Sequence, residues 1–393
     1  MELAVLMYWH PKHKLYRGKK MKKLLKLMMA FLLLFSVGCV KDEKEPFTLS
    51  FINIGKGDAF LMENPGDGFY LCDTGKTQDF NKIARLLKVK NVDHLNGIFL
   101  SHGHLDHAGN VDALLKLIPT DKVYISKKDD ASYQRMPIRQ IVSENGVELV
   151  ELDGKEHFEF NDLIIDIWLP ETVDYENENN NSMVMYLTYG KTHYLMTGDM
   201  EKEEEKIFLS ENKNISCDVL KLGHHGEKDA TTKELLNRAR PKYGIITGNE
   251  KENPQSVNDK VSKKLEMFNV KPFYSEGEQL AIDFISDQYT ISIENVYNPE
   301  VKSNLEIQNI DFENQTITLH NKGKKELDIS NYSIRSKKGE EWFYISEGTV
   351  LDAGASITVS TPGFWQMESG EAAVIYDTQF NKLDKRDWEN NYE

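Results

Sequence analysis

The chain has 393 residues, more than one ordinary domain of roughly 100–200 residues needs and enough for two. Hydrophobic residues at 40%, aromatics at 10% and charged residues at 28% are the make-up of a soluble globular protein, and 25 Gly with 11 Pro exclude collagen-like or proline-rich architectures. Residues 1–38 hold eight of the 48 basic residues and one of the 63 acidic ones, so the formal charge of −15 conceals a body near −22. A broad basic surface for nucleic acid is therefore excluded, and any polyanion must be held by metal ions or a local basic strip.

In chain order, the first feature is the basic run Met21–Lys26, followed by the apolar stretch Leu27–Val37 and the small residues Ser36-Val37-Gly38 before Cys39. A basic start, a short apolar middle and small residues at its end define an export signal. A cysteine at that point resembles the lipobox of bacterial lipoproteins, with Ser36 in place of the usual aliphatic residue, and implies lipidation of Cys39 and anchorage outside the cytoplasm. Residues 1–38 are read as extension and signal, and 39–46 as a charged tether. Cys72 and Cys217 lie in apolar runs and read as buried hydrophobes.

From Phe47 short β-type runs alternate with helical spacing. Leu49–Ile54, Ala59–Met62, Phe69–Cys72 and Gly97–Leu100 read as strands, as do Val123–Ile125, Leu163–Ile167, Met183–Leu187 and His193–Met196. Helices are expected over Asn81–Leu87, Gly109–Ile118, Glu201–Leu209, Thr232–Ala239 and Asp259–Phe268. This is an α/β domain over residues 47–298. Beyond it, evenly spaced short strands with turn residues and no helical period predict an all-β sandwich over 303–391.

The segment His102-Gly103-His104-Leu105-Asp106-His107 places three imidazoles and a carboxylate within six residues, just past a strand. Alternation lets His102 and His104 point one way, while Asp106 and His107 serve a second cation. Imidazole with carboxylate suits zinc, manganese or iron. Two later strands end in Thr197-Gly198-Asp199 and in Gly223-His224-His225-Gly226, and three strand ends delivering His and Asp describe a dinuclear centre.

These motifs resemble the metallo-β-lactamase fold, and within it the hydrolase domain of ComEC-type competence proteins. The matching pieces are Ile54-Gly55-Lys56-Gly57-Asp58, Asp73-Thr74-Gly75, His102–His107, Asn181-Ser182, Thr197-Gly198-Asp199 and His224-His225-Gly226. The resemblance implies an αββα sandwich and two divalent cations, zinc first and manganese as the alternative. It implies that His102 and His104 hold one cation. Asp106, His107 and one of His224 or His225, with His225 favoured, hold the other, bridged by Asp199. Asp106 and Asp199 are the catalytic carboxylates it implies, Asp73 and Asp58 orient the ligands, and Asn181, Ser182 and His224 are candidate contacts to metal or substrate. Asn181 stands where the wider fold places an imidazole, Lys56 replaces a Gln, and Val257 stands where a later His is usual.

Leu305–Tyr332 and the Leu351-Asp-Ala-Gly354 turn are similar to a lamin-tail domain, which implies an immunoglobulin-like sandwich and an unidentified surface ligand. Trp342, Phe364 and Trp365 are expected to pack in its core. The whole reads as a lipid-anchored metallohydrolase acting on phosphodiesters of extracellular nucleic acid. The alternatives are hydrolysis of a lactone, thioester or cell-wall compound, and a non-catalytic surface module.

Overall fold

The computed structural model describes residues 45–128, 136–251, 254–256, 259–299, 301–336, 342–365 and 371–387. The signal, Cys39 and Val257 lie outside the described residues. Two sheets face each other, with helices on both outer faces. The strands are β1 (Phe47–Ile52), β2 (Phe60–Asn64), β3 (Gly68–Cys72), β4 (Gly97–Phe99), β5 (Lys122–Ser126), β6 (Glu148–Leu152), β7 (Lys155–Phe160), β8 (Leu163–Trp168), β9 (Val184–Tyr189), β10 (Thr192–Met196), β11 (Val219–Lys221), β12 (Tyr243–Ile246), β13 (Lys271–Tyr274), β14 (Ala281–Ser286) and β15 (Ile291–Val296). Eight form one sheet in the order β15-β14-β1-β2-β3-β4-β5-β6, and seven form the other in the order β13-β12-β11-β10-β9-β8-β7.

Alternation along each strand explains the layers. Phe60, Met62, Tyr70 and Cys72 point between the sheets, where they meet Ile165, Leu187, Tyr189 and Tyr194. Leu61, Leu71 and Ile98 point outward, beneath α1 (Phe80–Val89), α2 (Leu105–Ala108), α3 (Val111–Leu117) and α4 (Ile138–Glu144). On the far side, Leu195, Leu220 and Ile246 are covered by α5 (Lys202–Glu211), α6 (Lys233–Ala239) and α7 (Asp259–Met267). Strands buried on both faces read as unbroken apolar runs, which is why β3, β4, β9 and β10 were legible. The helix expected over 109–118 is present as α3, starting two residues later at Val111, and the short α2, which lies inside the histidine motif, precedes it and was not expected. Sequence reading leaves out β6, β7 and β12–β15. Edge strand β7, Lys-Glu-His-Phe-Glu-Phe, exposes every second side chain and is rich in charge, so its apolar signal is diluted.

Five strands and the turns after them place the site. β3 runs parallel to β4, and β10, β11 and β12 run parallel to one another, so their carboxyl ends gather at one edge.

The C-terminal region continues in the same compact unit. It comprises β16 (Leu305–Asp311), β17 (Thr316–Asn321), β18 (Leu327–Asp328), β19 (Ser333–Ser336), β20 (Trp342–Tyr344), β21 (Val350–Leu351), β22 (Ser356–Ser360), β23 (Ala372–Tyr376) and β24 (Lys382–Asp387). They pair as β16-β17-β22, β18-β21 and β20-β19-β23-β24 around a core that includes Ile317, Leu319, Ile334 and Ile375. Phe364 and Trp365 are buried in that core, while Trp342 lies partly buried against α1. Among the described residues, no helix is long and apolar enough to cross a membrane.

Candidate metal centre

The turn after β4 carries His102, His104, Asp106 and His107; the turn after β10 carries Asp199, and the turn after β11 carries His224 and His225. Local backbone geometry is demanding there. Asp73, His224 and His225 have φ of 59°, 47° and 54°, in the left-handed region that non-glycine residues enter at a cost. Gly198 also has a left-handed φ of 51°, and a Cβ on it would lie 2.7 Å from that of Ser182.

Each imidazole is anchored through one ring nitrogen and turns the other toward the centre. Ser101 Oγ donates to Asp73 Oδ2 at 2.7 Å and so accepts from His102 Nδ1 at 3.1 Å, leaving His102 Nε2 bare. His104 Nε2 donates to Glu178 Oε2 at 3.1 Å, leaving Nδ1, which lies 2.9 Å from His102 Nε2. His107 Nδ1 donates to Asp73 Oδ2 at 2.9 Å, and its Nε2 faces Asp199 Oδ2 at 3.1 Å. His225 Nδ1 lies 2.9 Å from Thr247 Oγ1 and 3.2 Å from Asp58 Oδ1. Its Nε2 faces Asp199 Oδ2 at 3.1 Å and Asp106 Oδ2 at 3.3 Å. The Nε2 atoms of His107 and His225 are buried and lack hydrogen-bond partners. Two lone pairs facing each other across His102 and His104, and two orphaned nitrogens around one carboxylate oxygen, are donor sets that fit divalent cations.

Asp58, His107, Asp199 and His225 offer ligand atoms all within 4.8 Å of one another. Asp58 nevertheless faces the Nδ1 side of both rings, at 3.2 Å from His225 and 3.7 Å from His107. Its place is behind the ligands, yet at the heart of the cluster rather than at its margin. The fully buried Lys221 joins Asp58 Oδ2 at 2.6 Å to Asp199 Oδ1 at 3.2 Å and donates to Gly198 O at 2.6 Å.

The electrostatics follow from this crowding. Burial opposes the charge on Asp58, but Lys221, His107 and His225 bring it down to about 2. Burial likewise opposes ionisation of Asp199, and His107, His225 and Lys221 overcome it to hold the carboxyl well below the usual range. Burial also disfavours the charged forms of His107 and His225; facing carboxylates, Asp199 first, raise both, His225 to about 10. Burial keeps His102 well below the ordinary imidazole value, so it is neutral.

Two sequence expectations are corrected. Asn181 is not a metal contact: its Oδ1 accepts from Asp174 N at 2.8 Å and its Nδ2 donates to Asp174 O at 2.9 Å, which commits both ends of the amide. Ser182 is the residue that approaches His102, at 3.4 Å from Nδ1, and its Oγ accepts from Asp199 N at 2.9 Å. His224 turns away from its neighbour, toward Asp229 at 3.2 Å and Glu201 at 3.4 Å. Sequence reasoning missed Glu178, Lys221 and Thr247. The last two directly follow or end strands β12 and β11, a position that marks them once the sheet order is known.

Comparison with known proteins agrees with this layout. Residues 52–247 match the family model described as the Metallo-beta-lactamase superfamily. ComE operon protein 3 of Bacillus subtilis is 28% identical over 256 residues, covering 61% of this chain and 33% of that protein. Recombination protein 2 of Haemophilus influenzae is 30% identical over 221 residues, covering 55% and 26%. Lamin-C of Drosophila melanogaster is 32% identical over 105 residues, covering 26% of this chain and 16% of that protein. The matches span a third or less of each relative's own length. Residues 52–247 therefore form a metallo-β-lactamase superfamily domain, distantly homologous to ComE-type competence proteins.

Proposed function

We propose that this chain is an exported metal-dependent hydrolase, anchored through lipid on Cys39, that cleaves phosphodiesters of extracellular nucleic acid. The observation that carries the reading is the set of four imidazoles, each anchored at one nitrogen and turning the other inward, gathered at Asp199 and the His102–His104 pair. Two divalent cations held by His102 with His104, and by Asp106, His107, Asp199 and His225, would activate water and neutralise charge on the substrate oxygens, zinc being the first choice and manganese the second. The chain's own groups supply orientation. Asp73, Ser101, Glu178 and Thr247 fix the ring tautomers, and Lys221 fixes one oxygen of Asp199 so that the other faces the rings. Against burial, the facing imidazoles of His225 and His107 keep the Asp106 carboxyl ionised. His104 and Asp106 are the accessible members, with side chains 29% and 23% exposed, so substrate enters from their side.

Relatives named as competence and recombination proteins support nucleic acid as the substrate class. The acidic chain, at −15, leaves the cations as the main means of holding phosphate. The similarity to Lamin-C supports reading 303–391 as a lamin-tail-like sandwich beside a hydrolase domain at 47–298. The test uses metal-free full chain reloaded with zinc or manganese, offered single-stranded DNA, bis(p-nitrophenyl) phosphate, a lactone and a thioester. Metal-dependent phosphodiester cleavage that disappears in His225→Ala is expected. Turnover of the lactone or thioester alone would transfer the activity to acyl chemistry, and no turnover by metal-loaded protein would leave a surface module. Lipid labelling of Cys39→Ser separately tests the anchor, which normal labelling would remove.

A further inference from the structure

The C-terminal strands reach the metal loop through one arginine. Arg335 on β19 is buried; its Nη1 donates to Gln78 O at 2.6 Å and its Nη2 to Thr77 O at 3.2 Å. Its guanidinium lies over the Trp342 ring, 5.2 Å from the centroid. Trp342 meets Phe80, the first residue of α1, edge-on at 5.3 Å, and Phe380 meets it at 5.6 Å. Further along α1, Arg85 Nη1 donates to Gln379 O at 3.1 Å.

The gripped turn continues directly from the segment that holds His107. Asp73 accepts the Nδ1 proton of His107, and Thr74 N and Oγ1 both donate to the His107 carbonyl, at 2.5 and 3.0 Å. Gly75 N donates to Asp58 O at 2.8 Å, and Gly109 N returns to Gly75 O at 3.0 Å. Asn110 Nδ2 ties Thr74 O at 2.7 Å to Lys76 O at 2.5 Å, and Thr77 Oγ1 reaches Gly109 O at 3.4 Å. Between the arginine and the imidazole there is thus an unbroken run of side-chain and backbone hydrogen bonds. A planar fork on two successive carbonyls fixes both the position and the tilt of that turn.

We infer that Arg335 is a positioning residue for the metal centre: through Thr77 and Gln78 the C-terminal β region sets the pose of the Asp73–Thr77 segment, and with it His107. The partner of this face of the region is the chain's own metal domain. The inference rests on the metal reading of His107 and is independent of the substrate.

The test compares full-length wild type, Arg335→Ala and Arg335→Lys by zinc titration of metal-free protein and by hydrogen exchange, both without substrate. Arg335→Ala is expected to weaken zinc binding about tenfold, the lower end for groups that orient ligands. It should also speed exchange at the Thr74, Gly75 and Gly109 amides while those of β9–β11 stay unchanged. Arg335→Lys, which keeps the charge without the fork, should fall between. Wild-type zinc affinity and wild-type exchange at those amides in Arg335→Ala would overturn the inference, even if the C-terminal strands melted earlier. Should Arg335→Ala not fold, Trp342→Leu removes the platform under the guanidinium and is judged by the same two readouts. A wild type that binds no zinc overturns the metal reading and this inference with it. A wild type that binds zinc yet leaves DNA intact overturns only the substrate assignment.

Discussion

His104 depends on a carboxylate that lies outside its own loop. Glu178 holds the Nε2 proton and so presents Nδ1 to His102. Glu178→Ala should weaken one zinc step by about tenfold and spare the step at His107, Asp199 and His225, giving two separated transitions by calorimetry. Two transitions that shift together would show that Glu178 serves both groups. Lys221 poses a different question, because it is fully buried between two carboxylates. Lys221→Met removes the buried cation that joins Asp58 to Asp199, a loss of about 3–5 kcal/mol in metal-free protein. Bound cations offset part of it, so calorimetric melting should show a smaller loss in the zinc-loaded form; equal losses would detach Lys221 from the metal centre. The raised pKa of His225, about 10 against an ordinary 6.5, sets a pH dependence. Its charged form stabilises metal-free protein fully below about 6.5, and that contribution is lost as pH climbs through about 10. A cation needs the bare nitrogen, so zinc affinity should rise with pH across the lower part of that window, up to about tenfold per unit for each proton displaced. Competition titrations at several pH values check this, and a flat profile would mean that the nitrogen is already bare.

At the scale of elements, the sheets place the site and the helices bear mainly on stability. Glu204 on α5 is nearly buried, and burial, with Asp174 and Glu211 nearby, pushes its carboxyl up to about 7 from 4.5. The fold favours the protonated form. Its contribution is full below 4.5 and is lost as pH rises through about 7. Glu204→Gln keeps the shape without the charge, and should raise stability above neutral pH by ~1 kcal/mol, about 2 °C in Tm, after allowing for partial solvation. Melting curves at acid and alkaline pH should differ in this way; a gain that is equal at both would point to a packing effect. Strand ends behave differently from helices. Gly198, between β10 and Asp199, admits no Cβ without meeting Ser182, so Gly198→Ala should disturb the serine that accepts from Asp199 N and reduce bound zinc, measured by metal analysis of folded protein.

Across the whole molecule, the described chain from Pro46 onward packs as one unit, so the metal centre and the C-terminal strands share its stability. Zinc at a hundred times its Kd should stabilise this body by about 2.7 kcal/mol, seen as a rise in Tm that a chelator reverses. The amino-acid order makes legible the histidine motif, the apolar strands buried on both faces, and the position of Asp199 and His225 at strand ends. Each of these is written in residues adjacent along the chain: an alternation, a six-residue spacing, a strand with a polar stop. It did not separate His224 from His225, which share one turn and differ only in the direction that backbone gives them. It placed Asn181 at the metal, because adjacency to Ser182 cannot reveal that the amide is taken by Asp174. Glu178, Lys221, Thr247 and Arg335 carry no local pattern at all. Lys221 and Thr247 reach the site because parallel strands bring distant carboxyl ends to one edge, whereas Glu178 and Arg335 come from outside those strands. Burial leaves every charge in need of a partner from another part of the chain. Which partner that is follows from the packing of the two sheets and the C-terminal strands.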